Sequence, residues 1–238
     1  MVDYFRPRSS SASPPHGLPG SPFYSPKPPS PLDFLSSLRA VDALLGLIFV
    51  CFLAQMLIPG FTEMFYFDPG HLQWWMPITS VFLHGGFLHL LLNCYALWMF
   101  GPILEQRLGR TGFLLLFLAG GLAGSAFYEG AILLGISPAV PALGASGAIY
   151  AVLGAIAVLA PRLMVALFGV IPLSMRQAAL LWVALELLGT FNPYSGVAST
   201  AHLGGLALGF AWGWLESRRP PGAGSFPGGV PYHFIPRR

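Results

Sequence analysis

The 238-residue chain is 55% hydrophobic and only 9% charged, with a mean hydropathy of +0.67. Soluble domains carry roughly 25% charged residues, so this composition excludes an ordinary soluble enzyme and implies an all-α polytopic membrane protein. The net charge of +3 does not call for nucleic acid. The two cysteines, Cys51 and Cys94, lie inside apolar runs as buried thiols, with neither disulfide nor metal spacing.

Residues 1–36 are rich in Pro, Ser and Gly and cannot bury enough apolar surface to offset chain entropy. They read as a disordered cytoplasmic arm without the apolar core of an export signal. A membrane domain follows over 37–217, and 218–238 form a second Pro/Gly-rich cytoplasmic tail. Six apolar stretches lie between the tails: Ala43–Ile58, Val81–Phe100, Gly112–Tyr128, Gly144–Ala160, about Leu173–Thr190, and Ala198–Leu215. A helix crossing hydrocarbon needs about 20 residues, with a range of roughly 17–25. The fifth stretch is the weakest, since Glu186 interrupts it and Arg176 lies near its start. Leu163–Leu173 is apolar too but holds Pro172, which suits an interfacial segment. Hydropathy alone leaves five spans open.

Charge placement selects six. Arg6, Arg8, Lys27 and Arg39 precede the first stretch, and Arg107 and Arg110 separate the second from the third. Arg162 and Arg176 separate the fourth from the fifth, while Arg218, Arg219, Arg237 and Arg238 follow the sixth. With six spans all twelve basic residues fall on one side, which the positive-inside rule makes cytoplasmic, both termini included. The segments Pro59–Ser80, Glu129–Leu143 and Phe191–Val197 then face outward. The first carries Phe65, Tyr66, Phe67, Trp74 and Trp75, residues that favour the headgroup level.

Ionisable and amide groups inside spans are unfavourable in lipid and therefore informative. Span two carries His84, His89 and Asn93, span five Glu186, and span six His202. His89 and Asn93, four residues apart, share a helix face. Small residues recur every fourth place as Ala201, Gly205, Gly209 and Gly213, and again as Gly147, Ala151 and Ala155. Such stripes suit close helix contact and would hold span six, with His202, against span four, which opens at Gly144-Ala145-Ser146-Gly147. Singly, an intramembrane histidine is often a helix-to-helix hydrogen-bonding residue, and a serine commonly bonds its own backbone. Together they supply a nucleophile, a base and a separate pair of polar donors. Metal binding is the competing use of three histidines, but no His-x-x-x-His pair shares a face and Glu186 has no ligand spacing to them.

The combination resembles the rhomboid intramembrane serine proteases. The residues that carry it are Trp75 with Thr79-Ser80-Val81-Phe82-Leu83-His84, then His89 and Asn93 as H-x-x-x-N. Gly144-x-Ser146-Gly147 follows on span four, and Ala201-His202-x-x-Gly205-x-x-x-Gly209 on span six. The soluble hydrolase elbow does not fit, because Ala148 stands at its last glycine position. The resemblance implies a six-helix membrane bundle with Ser146 as nucleophile and His202 as base, a dyad without a carboxylate partner. No Asp lies within spans two to six. It further implies an oxyanion site made by the Ser146 amide with His89 and Asn93, and Tyr150 as the aromatic on which the histidine packs. Gly144, Gly147, Gly205 and Gly209 support the site, and Glu105 matches a structural acid. Met76 follows Trp75 where the family often has Arg, which bears on the rigidity of that loop. Glu186 lies outside the motif set.

The implied activity is cleavage of transmembrane segments of other membrane proteins near the outer face, within the lipid bilayer. No metal or other cofactor is implied. A non-proteolytic rhomboid-like factor that shepherds other helices is the alternative. The absence of an Arg-rich leader suits a bacterial inner membrane better than a mitochondrial one.

Overall fold

The computed structural model describes residues 38–167, 169–192 and 198–219. The expected arm over 1–36, the tail beyond 219 and most of the expected outer segment Phe191–Val197 lie outside the described residues.

Helix α1 (Ala40–Leu57) starts after Arg39, whose extended backbone offers no side-chain cap. The cap comes from Glu105 instead. Its carboxylate accepts the Ala40 N–H at 2.6 Å and the Val41 N–H at 3.0 Å. Two donors that a helix start leaves orphaned are thereby satisfied, and negative charge meets the positive end of the helix. The segment after α1 holds short helices α2 (Phe61–Phe65) and α3 (Met76–Thr79), then a 3-10 turn over Ser80–Phe82. The Trp75 indole N–H donates to the Met64 carbonyl, the Thr79 hydroxyl to the Phe65 carbonyl, and Phe67 bridges Ala142. Phe67 is buried with Met76 and Tyr128, so this loop is pinned by packing where the Trp-Arg pair is missing.

Helix α4 (Phe87–Leu133) is two helices joined at Gly109, whose φ of 71° and ψ of 168° break the helical path. That backbone region is open mainly to glycine. The arm 110–133 covers the third apolar stretch, whereas the arm 87–108 begins six residues later than the expected Val81–Phe100, leaving His84 in the turn and loop before the helix.

Helix α5 (Ser146–Leu159) is buried almost all round, as a central helix must be when it is apolar on every face. Beyond it the chain departs from the all-α expectation. Strands β1 (Met164–Leu167) and β2 (Ile171–Ser174) pair antiparallel in register from Met164↔Ser174 to Leu167↔Ile171. The segment expected to lie as an apolar interfacial piece is this hairpin. Pro172 disfavours a helix, Gly169 supplies φ 74° at the turn, and Val165, Val170 and Ile171 suit extended backbone. Helix α6 (Met175–Thr190) then starts on a capping box. Gln177 N–H donates to Ser174 Oγ, and Ser174 N–H donates to Gln177 Oε1. Helix α7 (Ser199–Ser217) closes the described domain.

Among the described residues two helices, α1 and α4, are long and apolar enough to cross a bilayer by length and composition. Six long helical segments arise only when the arms of α4 are counted separately, so the six-span expectation is not met by helix length alone. Many outward residues are large and apolar, among them Val50, Leu92, Trp98 and Leu188, all more than half exposed. An exposed apolar face of that extent marks a surface made for something other than water.

Candidate active site

The site begins where α5 and α7 touch. A β-carbon on Gly205 would collide with the Gly147 carbonyl, and one on Gly209 with the Ala151 carbonyl. At Gly213 it would stand 2.9 Å from the Ala155 carbonyl oxygen. The two small-residue stripes therefore lie backbone to backbone over three successive turns. The second arm of α4 joins them at Gly124, where a β-carbon would come 2.9 Å from the Ala201 carbonyl oxygen.

Ser146 is the first residue of α5, and no side chain caps that end. The N–H groups of the first turn thus lack intrahelical acceptors and point out of the helix start. Gly144 leads into it at φ 133°, with its N–H donating to the Ser80 carbonyl at 2.9 Å. Gly144 also has to lack a side chain, since a β-carbon would reach 2.8 Å from His89 Nε2. His202, at the end of the first turn of α7, brings Nε2 to 2.7 Å from Ser146 Oγ. The Tyr150 ring, one turn beyond Ser146, lies flat on the imidazole at 4.4 Å and 10°.

His89 and Asn93 come from the first arm of α4 and line the same cavity of about 680 Å³ as Ser146, Tyr150 and His202. The Gly85 N–H donates to His89 Nδ1 at 3.3 Å, which leaves the ring proton on Nε2. Asn93 is buried and donates one amide hydrogen to the His89 carbonyl at 2.9 Å, leaving its second hydrogen unused by that bond. His84 is 2% exposed and stands edge-on to His89 at 5.1 Å. Its backbone is clamped by the Gln55 amide, which donates to the His84 carbonyl and accepts the His84 N–H. Among the described residues no group of three His, Cys, Asp or Glu is placed to hold a metal ion.

One functional neighbour was missed by motif and spacing. Glu186 on α6 is buried, accepts the Tyr150 hydroxyl, and sets Oε1 2.9 Å from His202 Nδ1. That contact has ion-pair distance, at an angle short of a hydrogen bond. The histidine expected to lack a carboxylate partner therefore has one at hand. Glu186 stands out in the sequence as an intraspan carboxylate, but no motif ties it to His202. The available signal was a carboxylate inside an apolar helix with Trp182 and Thr190 four residues to either side, on the same face. Trp182 does line the cavity, and the Thr190 hydroxyl donates to the Glu186 carbonyl.

Residues 71–219 match the family model of the Rhomboid domain. The chain belongs to the rhomboid family. It is similar to Rhomboid protein 1, mitochondrial, of Saccharomyces cerevisiae, at 37% identity over 59% of this chain and 41% of that protein. Rhomboid protease GluP of Bacillus subtilis is 33% identical over 58% of the chain and 25% of its own length. Presenilin-associated rhomboid-like protein A, mitochondrial, of Danio rerio is 35% identical over 56% and 35% respectively. The chain spans between a quarter and about two fifths of the length of these curated relatives. Membership makes this rhomboid an integral membrane protein of a family that includes proteases. Mitochondrial proteins stand among these relatives beside the Bacillus subtilis protease, which argues against the expected assignment to a bacterial inner membrane.

Proposed function

We propose that this rhomboid is a serine endopeptidase that cuts transmembrane segments of other membrane proteins. The observation that carries the reading is the 2.7 Å contact of Ser146 Oγ with His202 Nε2 at the wall of a cavity. Ser146 Oγ attacks the peptide carbonyl and its proton passes to Nε2, forming a tetrahedral oxyanion. Three donors suit that oxygen: the Ser146 N–H at the positive end of α5, His89 Nε2–H and the second amide hydrogen of Asn93. As the intermediate collapses, the C–N bond breaks and His202 gives the proton to the leaving amine. Water, with His202 again as base, then releases the acyl group from Ser146. No cofactor enters these steps.

In this reading the chain crosses the bilayer six times, with the arms of α4 serving as two spans and the basic residues inside. Ser146 then lies near the outer ends of its neighbours, where water for the second half-reaction arrives. The cavity wall is apolar along Leu88, Leu92, Ala96 and Phe100 of α4 and Trp182 of α6. That suits a helix entering sideways between α4 and α6. Its backbone has to leave helical bonding before attack, so small or helix-breaking residues near the cut favour cleavage.

The test is reconstitution of the full chain in liposomes with a labelled single-span substrate bearing such residues. Cleavage by the wild type, and none by Ser146→Ala or His202→Ala, is the expected result. Equal product from all three would sink the protease reading.

A further inference from the structure

An ionised side chain inside an apolar helix is held there only with partners. On α6 the neighbours of Glu186 in sequence, Leu185, Leu187 and Leu188, are exposed, whereas Glu186 is 8% exposed and turned inward. There it meets three side chains from two other helices, Tyr150 of α5 and His202 and Ser199 of α7. Its Oε1 accepts the Tyr150 hydroxyl and stands 2.9 Å from His202 Nδ1. The Tyr150 ring in turn covers the face of that imidazole. Ser146 Oγ occupies the opposite edge of the same ring, at Nε2. His89, on α4, lines the same cavity and is the second imidazole close enough to interact with His202.

We propose that Glu186 completes the site as a positioning residue for His202, an extension that rests on the protease reading above. An ionised carboxylate only accepts hydrogen bonds, so the ring proton of neutral His202 belongs on Nδ1 and the lone pair on Nε2 faces Ser146. When Oγ bonds to the carbonyl carbon, its proton moves to Nε2 and the ring becomes a cation. Glu186 takes no proton. It balances the imidazolium across Nδ1 where water is scarce, the role a buried carboxylate plays in soluble serine proteases. Tyr150 holds both partners, the ring by stacking and the carboxylate through its hydroxyl.

The test uses the full chain in detergent micelles, with a fluorophosphonate probe for Ser146 and a labelled single-span substrate. Rates are taken per folded molecule, with the folded fraction read from thermal unfolding. Glu186→Gln should lower both the labelling rate and kcat by about 100-fold with KM little changed. Glu186→Asp, which keeps the charge at shorter reach, should restore part of that loss and stay about 10-fold below wild type. Wild-type labelling and kcat in folded Glu186→Gln would overturn the proposal and leave the protease reading intact. Should Glu186→Gln not fold, Glu186→Asp decides, and a wild-type rate there overturns it. If the wild type itself is not labelled at Ser146, both readings fall.

Discussion

Gly205 on α7 rests directly on the carbonyl of Gly147 on α5, with no room for a β-carbon between them. This contact lies within a turn of both Ser146 and His202, so helix packing and the Oγ–Nε2 distance depend on each other. Gly205→Ala must push the helices apart, because the obstruction is backbone and cannot swing aside. We predict a destabilisation of about 1–3 kcal/mol by overpacking, seen as a lower Tm in detergent. Serine-probe labelling should fall further than the lost folded fraction accounts for.

Gly144 presents a different constraint. Its φ of 133° disfavours any L side chain, and the His89 ring occupies the space one would need. Gly144→Ala should therefore displace His89 and the start of α5 together. Substrate turnover should fall by at least about 10-fold while the thermal midpoint drops by only a few degrees, consistent with about 1–2 kcal/mol of local strain. Cleavage kinetics and thermal unfolding on the same sample check both.

Asn93 separates a transition-state role from a packing role. It lines the cavity with Ser146, and its amide donates within its own helix to the His89 carbonyl. If its second amide hydrogen meets the oxyanion, Asn93→Ala lowers kcat by about 100- to 1000-fold with KM nearly constant. A fall confined to KM would assign Asn93 to substrate binding instead.

Glu105 offers a control far from the chemistry. Its carboxylate caps α1 through the Ala40 and Val41 N–H groups, 65 and 64 residues earlier in the chain. Glu105→Ala leaves both donors without that acceptor and should cost about 1–2 kcal/mol of stability. The labelling rate at Ser146 per folded molecule should stay at the wild-type value.

The parts of this architecture that could be read from residues are those with local or periodic causes. Polar groups are few in the apolar stretches, so Ser146, His89, Asn93 and His202 stood out individually. The four-residue spacing of Gly205, Gly209 and Gly213 named the helix face that meets Gly147, Ala151 and Ala155. What could not be read depends on contacts distant in sequence. Glu105 satisfies a helix start 65 residues away. Trp182 and Thr190 mark the face of α6 that carries Glu186, but nothing within α6 names His202 as the group that face meets. The hairpin over 164–174 is a short apolar run, where a strand and a buried helix look alike until Pro172 and Gly169 are weighed. The break in α4 was legible from Arg107 and Arg110 between two apolar stretches, though not its exact place at Gly109.

The central claim is that Ser146 is a nucleophile activated by His202. A fluorophosphonate transfers its phosphonyl group to an activated serine oxygen, and the leaving fluoride departs. Peptide mass mapping of the labelled full chain tests this directly. The account predicts a single adduct on the peptide containing Ser146, absent in Ser146→Ala and strongly reduced in folded His202→Ala. Labelling elsewhere in the wild type, or an undiminished Ser146 adduct in His202→Ala, would contradict it.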